Sequence, residues 1–393
     1  MLTSYSKIFL KKGREKSFQL RHHWIFSGAI EKSEGELIDG MPAHICNSKG
    51  QIIGLAHYGE KSIAARVLSF SPEQSEQDVI KRSLNKALKH RKSLQLPDSS
   101  NNTYRLVHSE GDLLPGLTVD IYKNTIVLQP HSNGMYRLRN EIADMLKELA
   151  DTSCILLREG RARSADKLAA RIIWGTDPTN IITENGIQFE VDLFKGQKTG
   201  FFIDQRINRK ILGSCSENKS ILNLFCYSGG FSLYALKSGA SKVISVDSST
   251  EALKLLDKNI TLNFPNGLRN LRHQAIEADI KKYLPNENEN FDIVILDPPA
   301  LIKQKKDQKK GLSAYDFLNT HAIRRVLPGG LFFTFSCSQF LGQKELFGIA
   351  SRAAKREGKT IQLMNSLNQA PCHRINPFHP ESEYLKGLVL KVS

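Results

Sequence analysis

The feature that most constrains the fold of this 393-residue chain is the regular alternation of strand-like and helix-like segments that begins at Ser220. Ser220-Ile-Leu-Asn-Leu-Phe-Cys is apolar enough for a buried strand, and the turn Tyr227-Ser-Gly-Gly delivers it into a helix ending near Gly239. Strand Lys242–Asp247, helix Thr250–Leu262 and a weaker strand at Leu271–Ala275 follow. Then come strand Phe291–Leu296, helix Ser313–Val326, strand Leu331–Ser336, helix Gln343–Glu357 and a closing strand from Tyr384. Such a pattern predicts an α/β fold with a mostly parallel sheet covered on both faces, and its ligands belong at the carboxyl ends of the strands. Polar and small residues gather at those ends: Tyr227 to Gly230, Asp247, Asp279, Asp297-Pro298-Pro299 and Cys337.

The chain ahead of this block reads differently. Up to about Phe70, short strands at Ile8–Leu10, Ala43–Asn47, Ile52–His57 and Ala64–Ser69 alternate with turns at Gly40, Lys49-Gly50 and Gly59, which suggests a small β-barrel. Trp24 and Phe26 are expected to contribute at least one ring to its core. Ser71-Pro72 breaks the pattern. Next come a helix over Gln77–Leu94, a loop at Pro97–Thr103, strands Leu117–Tyr122 and Thr125–Pro130, a helix Tyr136–Leu149, strand Cys154–Arg158 and a polar stretch Glu159–Lys167. Asn185-Gly186 between Ile181–Glu184 and Ile187–Leu193 is the strongest short-range hairpin signal. The expected division is therefore 1–72 for the barrel, 73–190 for a small α+β unit and 191–393 for the α/β domain.

Charge narrows the partners. Lysine and arginine exceed the acids by 15, and they cluster at Lys7, Lys11, Lys12, Arg14, Lys16 and Arg21 and again at Lys303, Lys305, Lys306, Lys309 and Lys310. Clusters of this kind favour a polyanion, and nucleic acid is the commonest one. The second run is expected to be a lid that also meets phosphates. Six scattered cysteines without paired spacing argue against a disulfide framework or a zinc site and for a reducing cytoplasm. His373, His379, Glu381 and Glu383 match no common metal spacing, so no metal is expected. No apolar run reaches the roughly 18–20 residues of a membrane span, and the N-terminus lacks the form of a signal peptide.

The turn Cys226-Tyr-Ser-Gly-Gly lacks the Gly-x-Gly-x-x-Gly of dinucleotide enzymes, whereas Asp247 stands where a doubly wound fold puts a carboxylate against ribose hydroxyls. With Asp279 and Asp297-Pro-Pro, the set resembles the cofactor face of class I S-adenosylmethionine-dependent methyltransferases. That cofactor has no pyrophosphate and so needs no phosphate-cradling glycines. The stretch Lys198-Thr-Gly-Phe-Phe-Ile-Asp-Gln-Arg-Ile-Asn-Arg, with Asn223-Leu-Phe-Cys-Tyr-Ser-Gly-Gly-Phe, Leu296-Asp-Pro-Pro, Thr334-Phe-Ser-Cys-Ser and Tyr384-Leu-Lys-Gly, resembles the RlmI-like 23S rRNA cytosine-C5 methyltransferases. Arg21-His-His-Trp-Ile-Phe-Ser-Gly-Ala-Ile and the stretch Gly54 to Phe70 resemble the PUA domain found ahead of some rRNA methyltransferases. The resemblance spans nearly the whole chain. It implies a Rossmann-like methyltransferase domain with a mostly parallel seven-stranded sheet, preceded by a PUA β-barrel and a small α+β domain.

By that resemblance S-adenosylmethionine is the cofactor, held by Phe201, Asp204, Gln205, Phe225, Tyr227, Ser228, Gly229, Gly230, Asp247, Ser248, Asp279, Asp297 and Pro298. The implied partner is 23S rRNA or a large-subunit assembly intermediate, with neither membrane nor DNA, and the oligomeric state, a homodimer included, is left open. Cytosine C5 is too weak a nucleophile to take a methyl group directly, so a thiolate adding at C6 is needed, and Cys337 is the expected nucleophile. Asp297 is the expected partner of the cytosine amino group or N3. Cys226 reads as packing. Ala300 follows Asp-Pro-Pro where amino-group methyltransferases carry an aromatic and where the resembled family more often has lysine. Two other readings stay open: N-methylation of RNA or protein with Cys337 structural, and a ribosome-binding assembly factor with an inactive cofactor site.

Overall fold

Period-two alternation of apolar residues over the first seventy positions makes short strands, and regular strand–helix alternation after Ser220 makes a parallel sheet. The computed structural model describes residues 5–73, 75–159, 170–267 and 272–393. The polar stretch expected at Glu159–Lys167 lies, beyond Glu159, outside the described residues, as does Leu271. The described chain forms two compact units. The first comprises Met1–Ile182, Val191–Ile203 and Pro371–Ser382, and the second Thr183–Glu190, Asp204–Ala370 and Glu383–Ser393.

In the first unit a six-stranded sheet runs in the order Trp24–Phe26, Ile63–Ser69, Ile52–Tyr58, Pro42–Cys46, Ser6–Leu10, Ile30–Glu34. Its core is Ile8, Leu10, Phe18, Ile25, Ala43, Ile45, Ala56, Ala65 and Val67. The expectation that Trp24 or Phe26 lies in this core is not met. Side chains alternate along a strand, and here Ile25 is the inward residue, fully buried, while Phe26 is 48% exposed. Trp24 faces outward with its indole N–H donated to Glu110 at 2.8 Å.

A five-stranded sheet follows in the order Ala170–Gly175, Cys154–Arg158, Thr125–Pro130, Leu117–Tyr122, Thr103–His108. Its two edge strands escaped the sequence reading, because neither Thr-Tyr-Arg-Leu-Val-His nor Ala-Arg-Ile-Ile-Trp-Gly carries a clean alternation. The helix expected over Gln77–Leu94 is Glu76–Ser93, capped by Ser75, whose Oγ accepts from the Asp78 amide at 3.1 Å. The Tyr136–Leu149 helix starts earlier, as Asn133–Arg137, and resumes at Arg139–Leu149. Buried Arg91 grips Asp112 with both arms, at 2.5 and 2.7 Å, and also donates to the Cys372 carbonyl at 2.5 Å. That contact fastens the Pro371–Ser382 strap within this unit.

The second unit is built on seven strands: β1 (Ser220–Leu224), β2 (Lys242–Asp247), β3 (Arg272–Glu277), β4 (Phe291–Leu296), β5 (Val326–Ser336), β6 (Ile361–Asn368) and β7 (Lys386–Val392). They lie in the order β3-β2-β1-β4-β5-β7-β6, with β1 to β5 mutually parallel and β7 antiparallel to both its neighbours. The helices are α1 (Arg206–Gly213), α2 (Gly230–Lys237), α3 (Thr250–Asn263), α4 (Ile280–Asn286), α5 (Gln308–Arg324) and α6 (Gln343–Arg356). On one face Leu222, Leu224, Val294, Leu296 and Phe332 pack with Tyr315, Leu318, Leu346 and Ala350. On the other, Ile221, Ile293, Ile295, Phe333 and Phe335 pack with Leu212, Phe231 and Ala235. The hairpin predicted at Asn185-Gly186 is present, with both residues at positive φ (48° and 77°) as a type I′ turn demands. Within the lysine run, residues 305–307 form a 3₁₀ turn, and Lys309 and Lys310 open α5.

Candidate active site

The turn from β1 into α2 leaves the strand through alternating left-handed residues. Phe225, Tyr227 and Gly229 have φ of 60°, 49° and 80°. Side chains tolerate this conformation poorly, and such strain collects at functional sites. At Gly229 a side chain is disfavoured twice, by the positive φ and because a Cβ there would sit 2.0 Å from Leu256 Cδ1, which would have to move. A Cβ on Gly230 would approach Arg209 Cδ to 3.1 Å. Arg209 is itself buried and paired bidentately with Glu184, at 2.8 and 2.7 Å. The turn is fixed from beside as well, by Asn259 donating to the Ser228 carbonyl at 3.1 Å.

Asp247, at the end of β2, faces that turn. One carboxylate oxygen accepts from the Tyr227 amide at 2.8 Å and the other from the Ser249 amide at 2.9 Å. Each oxygen keeps a lone pair after these bonds, so the group is oriented yet able to accept from two vicinal hydroxyls. Burial, and next the charge of Asp247, raise the Cys226 thiol well above its ordinary range. Cys226 is buried, as the packing reading expects. Asp279 accepts from the Lys281 amide at 2.9 Å and so caps α4. Ser248 is exposed.

Asp297 follows the last residue of β4, and its Oδ2 accepts from Gln205 Nε2 at 2.9 Å. Gln205 is aimed by Asn208, which donates to its amide oxygen at 2.6 Å. Asp204 is buried and accepts from the Tyr384 hydroxyl at 2.7 Å, so its side chain braces the start of α1. Phe201 is buried too, and belongs to the first unit.

Cys337 follows the last residue of β5, the neighbour of β4. The serines on either side of it are fully buried and tied to one hydroxyl: Ser336 Oγ donates to Tyr315 Oη at 2.8 Å, and Ser338 Oγ lies 3.0 Å from the same oxygen. Ser338 Oγ also accepts from the Ile302 amide at 3.1 Å. The segment following Asp297-Pro-Pro and the cysteine turn are thus held as one piece. From β7, Lys386 donates to the Ser338 carbonyl at 3.3 Å and to that of Tyr384 at 3.2 Å. Burial lowers the lysine's pKa, while Glu383 and Cys337 favour its charged form. Tyr315, Asn208 and Lys386 were not singled out as site residues from the sequence. The hints were Asn208's place in the stretch Lys198 to Arg209 and Lys386's in Tyr384-Leu-Lys-Gly.

In the first unit, two of the suspected metal-type residues meet a third. His22 Nε2 is 3.2 Å and His379 Nε2 3.7 Å from the same Glu381 oxygen. His373 instead contacts Cys372 Sγ at 3.4 Å. Arg21 and Lys49, with Asn47 and Gln51, line an open groove of about 610 Å³ on the six-stranded sheet.

The strand order, the antiparallel β7, the tight turn after β1 and the carboxylate closing β2 define a methyltransferase of the Rossmann-like class. Comparison with known proteins agrees. The family model described as S-adenosylmethionine-dependent methyltransferase matches residues 152–372, more than half of the chain, and one described as PUA-like domain matches residues 8–70. Ribosomal RNA large subunit methyltransferase I of Aeromonas hydrophila is 38% identical over 98% of this chain and 99% of its own. The protein of the same name from Tolumonas auensis is 38% identical, covering 98% of each. Among solved structures, one from Streptococcus mutans, described as a SAM-dependent methyltransferase, superposes with a TM-score of 0.83 at 20% identity over 98% of this chain and 99% of its own. Another, a methyltransferase complexed with SAH, also gives 0.83, at 19% identity and the same coverage. The chain belongs to the S-adenosylmethionine-dependent methyltransferases, in the family whose curated members are called ribosomal RNA large subunit methyltransferase I. Its cofactor is S-adenosylmethionine, and the left-handed turn with the oriented Asp247 carboxylate fits a ribose and a methionine moiety without a pyrophosphate.

Proposed function

We propose that this enzyme converts a cytosine of large-subunit ribosomal RNA to 5-methylcytosine, with Cys337 as nucleophile and Asp297 as its partner at the base. The observation that carries the reading is the placement of a cysteine one strand from Asp297-Pro-Pro, on a turn locked by Tyr315 and tied through Ser338 to the Ile302 amide. The names of the relatives support the ribosomal substrate.

When bound, S-adenosylmethionine supplies the methyl group that ends on C5. Tyr227, Ser228, Gly229, Gly230 and Phe225 would shape its seat, with Asp247 and Ser248 at the ribose and Asp279 towards the base, while Pro298 stiffens the backbone. Cys337, as thiolate, forms a bond to C6, and the C5–C6 π pair moves onto C5, which becomes nucleophilic. Asp297, fixed by Gln205, accepts from the cytosine amino group and steadies the adduct. Loss of the C5 proton then returns the pair to the ring as the C6–sulfur bond breaks. Asp204, held by the Tyr384 hydroxyl, would support the cofactor seat from the start of α1. Residues 1–72 would hold RNA through the exposed Lys11, Lys12, Lys16 and Arg21, with 73–190 and 191–393 as the middle and catalytic parts. The full substrate, naked 23S rRNA or an assembly intermediate, is a ribosomal one in either case.

The test is nucleotide mass mapping of ribosomal RNA from cells with and without the gene, and with a Cys337→Ala copy. One 5-methylcytosine should vanish in the deletion and stay absent with Cys337→Ala. A methyl group restored by Cys337→Ala would overturn the thiol mechanism, and a methyl group found on a ring or exocyclic nitrogen would favour the N-methylation reading.

A further inference from the structure

Lys386 is an unusual lysine. It is 8% exposed, and among the described residues it makes no ion pair; the carboxylate that favours its charge is Glu383. Lysine is almost never buried without a counter-charge, because an ammonium taken out of water must be repaid by one. Two of its three N–H groups go to the carbonyls of Ser338 and Tyr384. Those oxygens carry partial charge only. Register explains where the ammonium sits: Lys386 is the cross-strand partner of Ser336 on β5, and the carbonyl it reaches belongs to Ser338, so Cys337 lies between its two points of attachment.

We propose that Lys386 is the positioning residue that holds Cys337 as a thiolate, its ammonium providing the counter-charge when the thiol gives its proton to solvent. The inference rests on the reading of Cys337 as nucleophile. It accounts for a buried cation at a place where the two carbonyl acceptors alone ask only for a neutral donor. It also supplies what a thiol needs at neutral pH: free cysteine is largely protonated there, and an adjacent cation is the usual remedy. Two groups favour the charged lysine, Glu383 first and Cys337 next, so the cysteine shares the ammonium with a carboxylate.

The experiment is peptide-resolved alkylation of the full-length protein by iodoacetamide as a function of pH, with neither RNA nor S-adenosylmethionine present. In the native chain Cys337 should titrate below the ordinary thiol value of about 8.5. Lys386→Gln and Lys386→Met should each move the midpoint up, slowing alkylation at pH 7 by roughly tenfold, and Lys386→Arg should recover most of the loss. Arginine keeps the charge and glutamine offers only a shorter, neutral donor, so a shift in Lys386→Gln that Lys386→Arg reverses reads charge rather than tethering. An unchanged profile in a folded Lys386→Gln protein overturns the inference. The two claims fail separately: if Cys337→Ala is inactive while Lys386→Gln titrates like the native protein, the nucleophile stands and the lysine's role falls. If Cys337→Ala is fully active, the nucleophile falls whatever the lysine does to the thiol.

Discussion

Tyr315 shows how much of this site depends on single atoms. One phenolic oxygen serves both serines that flank Cys337, and it is buried with them. Replacing it by phenylalanine leaves two buried hydroxyls a partner short, a loss of about 1–3 kcal/mol. We therefore expect Tyr315→Phe to lower the melting temperature by several degrees. The methyl-transfer turnover should fall more than the affinity for S-adenosylmethionine, because the cysteine turn is loosened while the Asp247 edge is untouched. Stopped-flow turnover and calorimetry on the same preparation check both halves. Legibility differs sharply among the residues of this site. Gly229, Asp247, Asp297 and Cys337 could be found in the sequence because each ends or follows an apolar strand. Tyr315 and Lys386 could not, since their partners lie 23 and 48 positions from them and nothing in local periodicity links them.

Among the elements, the pair Arg209–Glu184 joins α1 to the hairpin at Asn185-Gly186. Glu184 also accepts from the Tyr234 hydroxyl of α2 at 3.0 Å. Both charged side chains are almost wholly shielded from water. A buried pair adds little net stability when intact, but breaking one leaves a lone charge that costs about 3–5 kcal/mol. Glu184→Gln should therefore destabilise the protein by that order in urea titration, and should weaken S-adenosylmethionine binding, since Arg209 packs beneath Gly230. A loss under 1 kcal/mol would show that the pair is solvated. The central strands were recognisable because buried parallel strands are continuous apolar runs. The edge strand β6, Ile-Gln-Leu-Met-Asn-Ser-Leu-Asn, was missed because only Leu367 in it is buried. Helix α1 escaped for a related reason: Arg206, Asn208 and Arg209 are buried polar residues that a hydrophobic pattern does not register.

For the whole molecule, acid is the predictable weakness. Burial pulls His108 and His131 in the first unit, and His273 in the second, from the ordinary 6.5 down to about 4. A histidine kept neutral in the fold takes its proton only on unfolding, so stability is full above pH 6.5 and drains as pH falls towards 4. Each such group contributes up to about 1.4 kcal/mol per pH unit in that window. Urea midpoints should drop steadily between pH 6.5 and pH 4.5, and a flat profile would mean these rings are solvated. The net charge of +15 was legible at once, and it implies salt-sensitive RNA binding. The arrangement of that charge was not, because Lys309 and Lys310 belong to a helix and Arg21 lines a groove. The central claim is attack by Cys337 at C6 followed by loss of the C5 hydrogen. Its most direct measurement is tritium release from large-subunit RNA labelled at cytosine C5, incubated with the enzyme and S-adenosylmethionine. One tritium should be freed for each methyl group incorporated, and none of either with Cys337→Ala. Methyl incorporation without tritium release would contradict it.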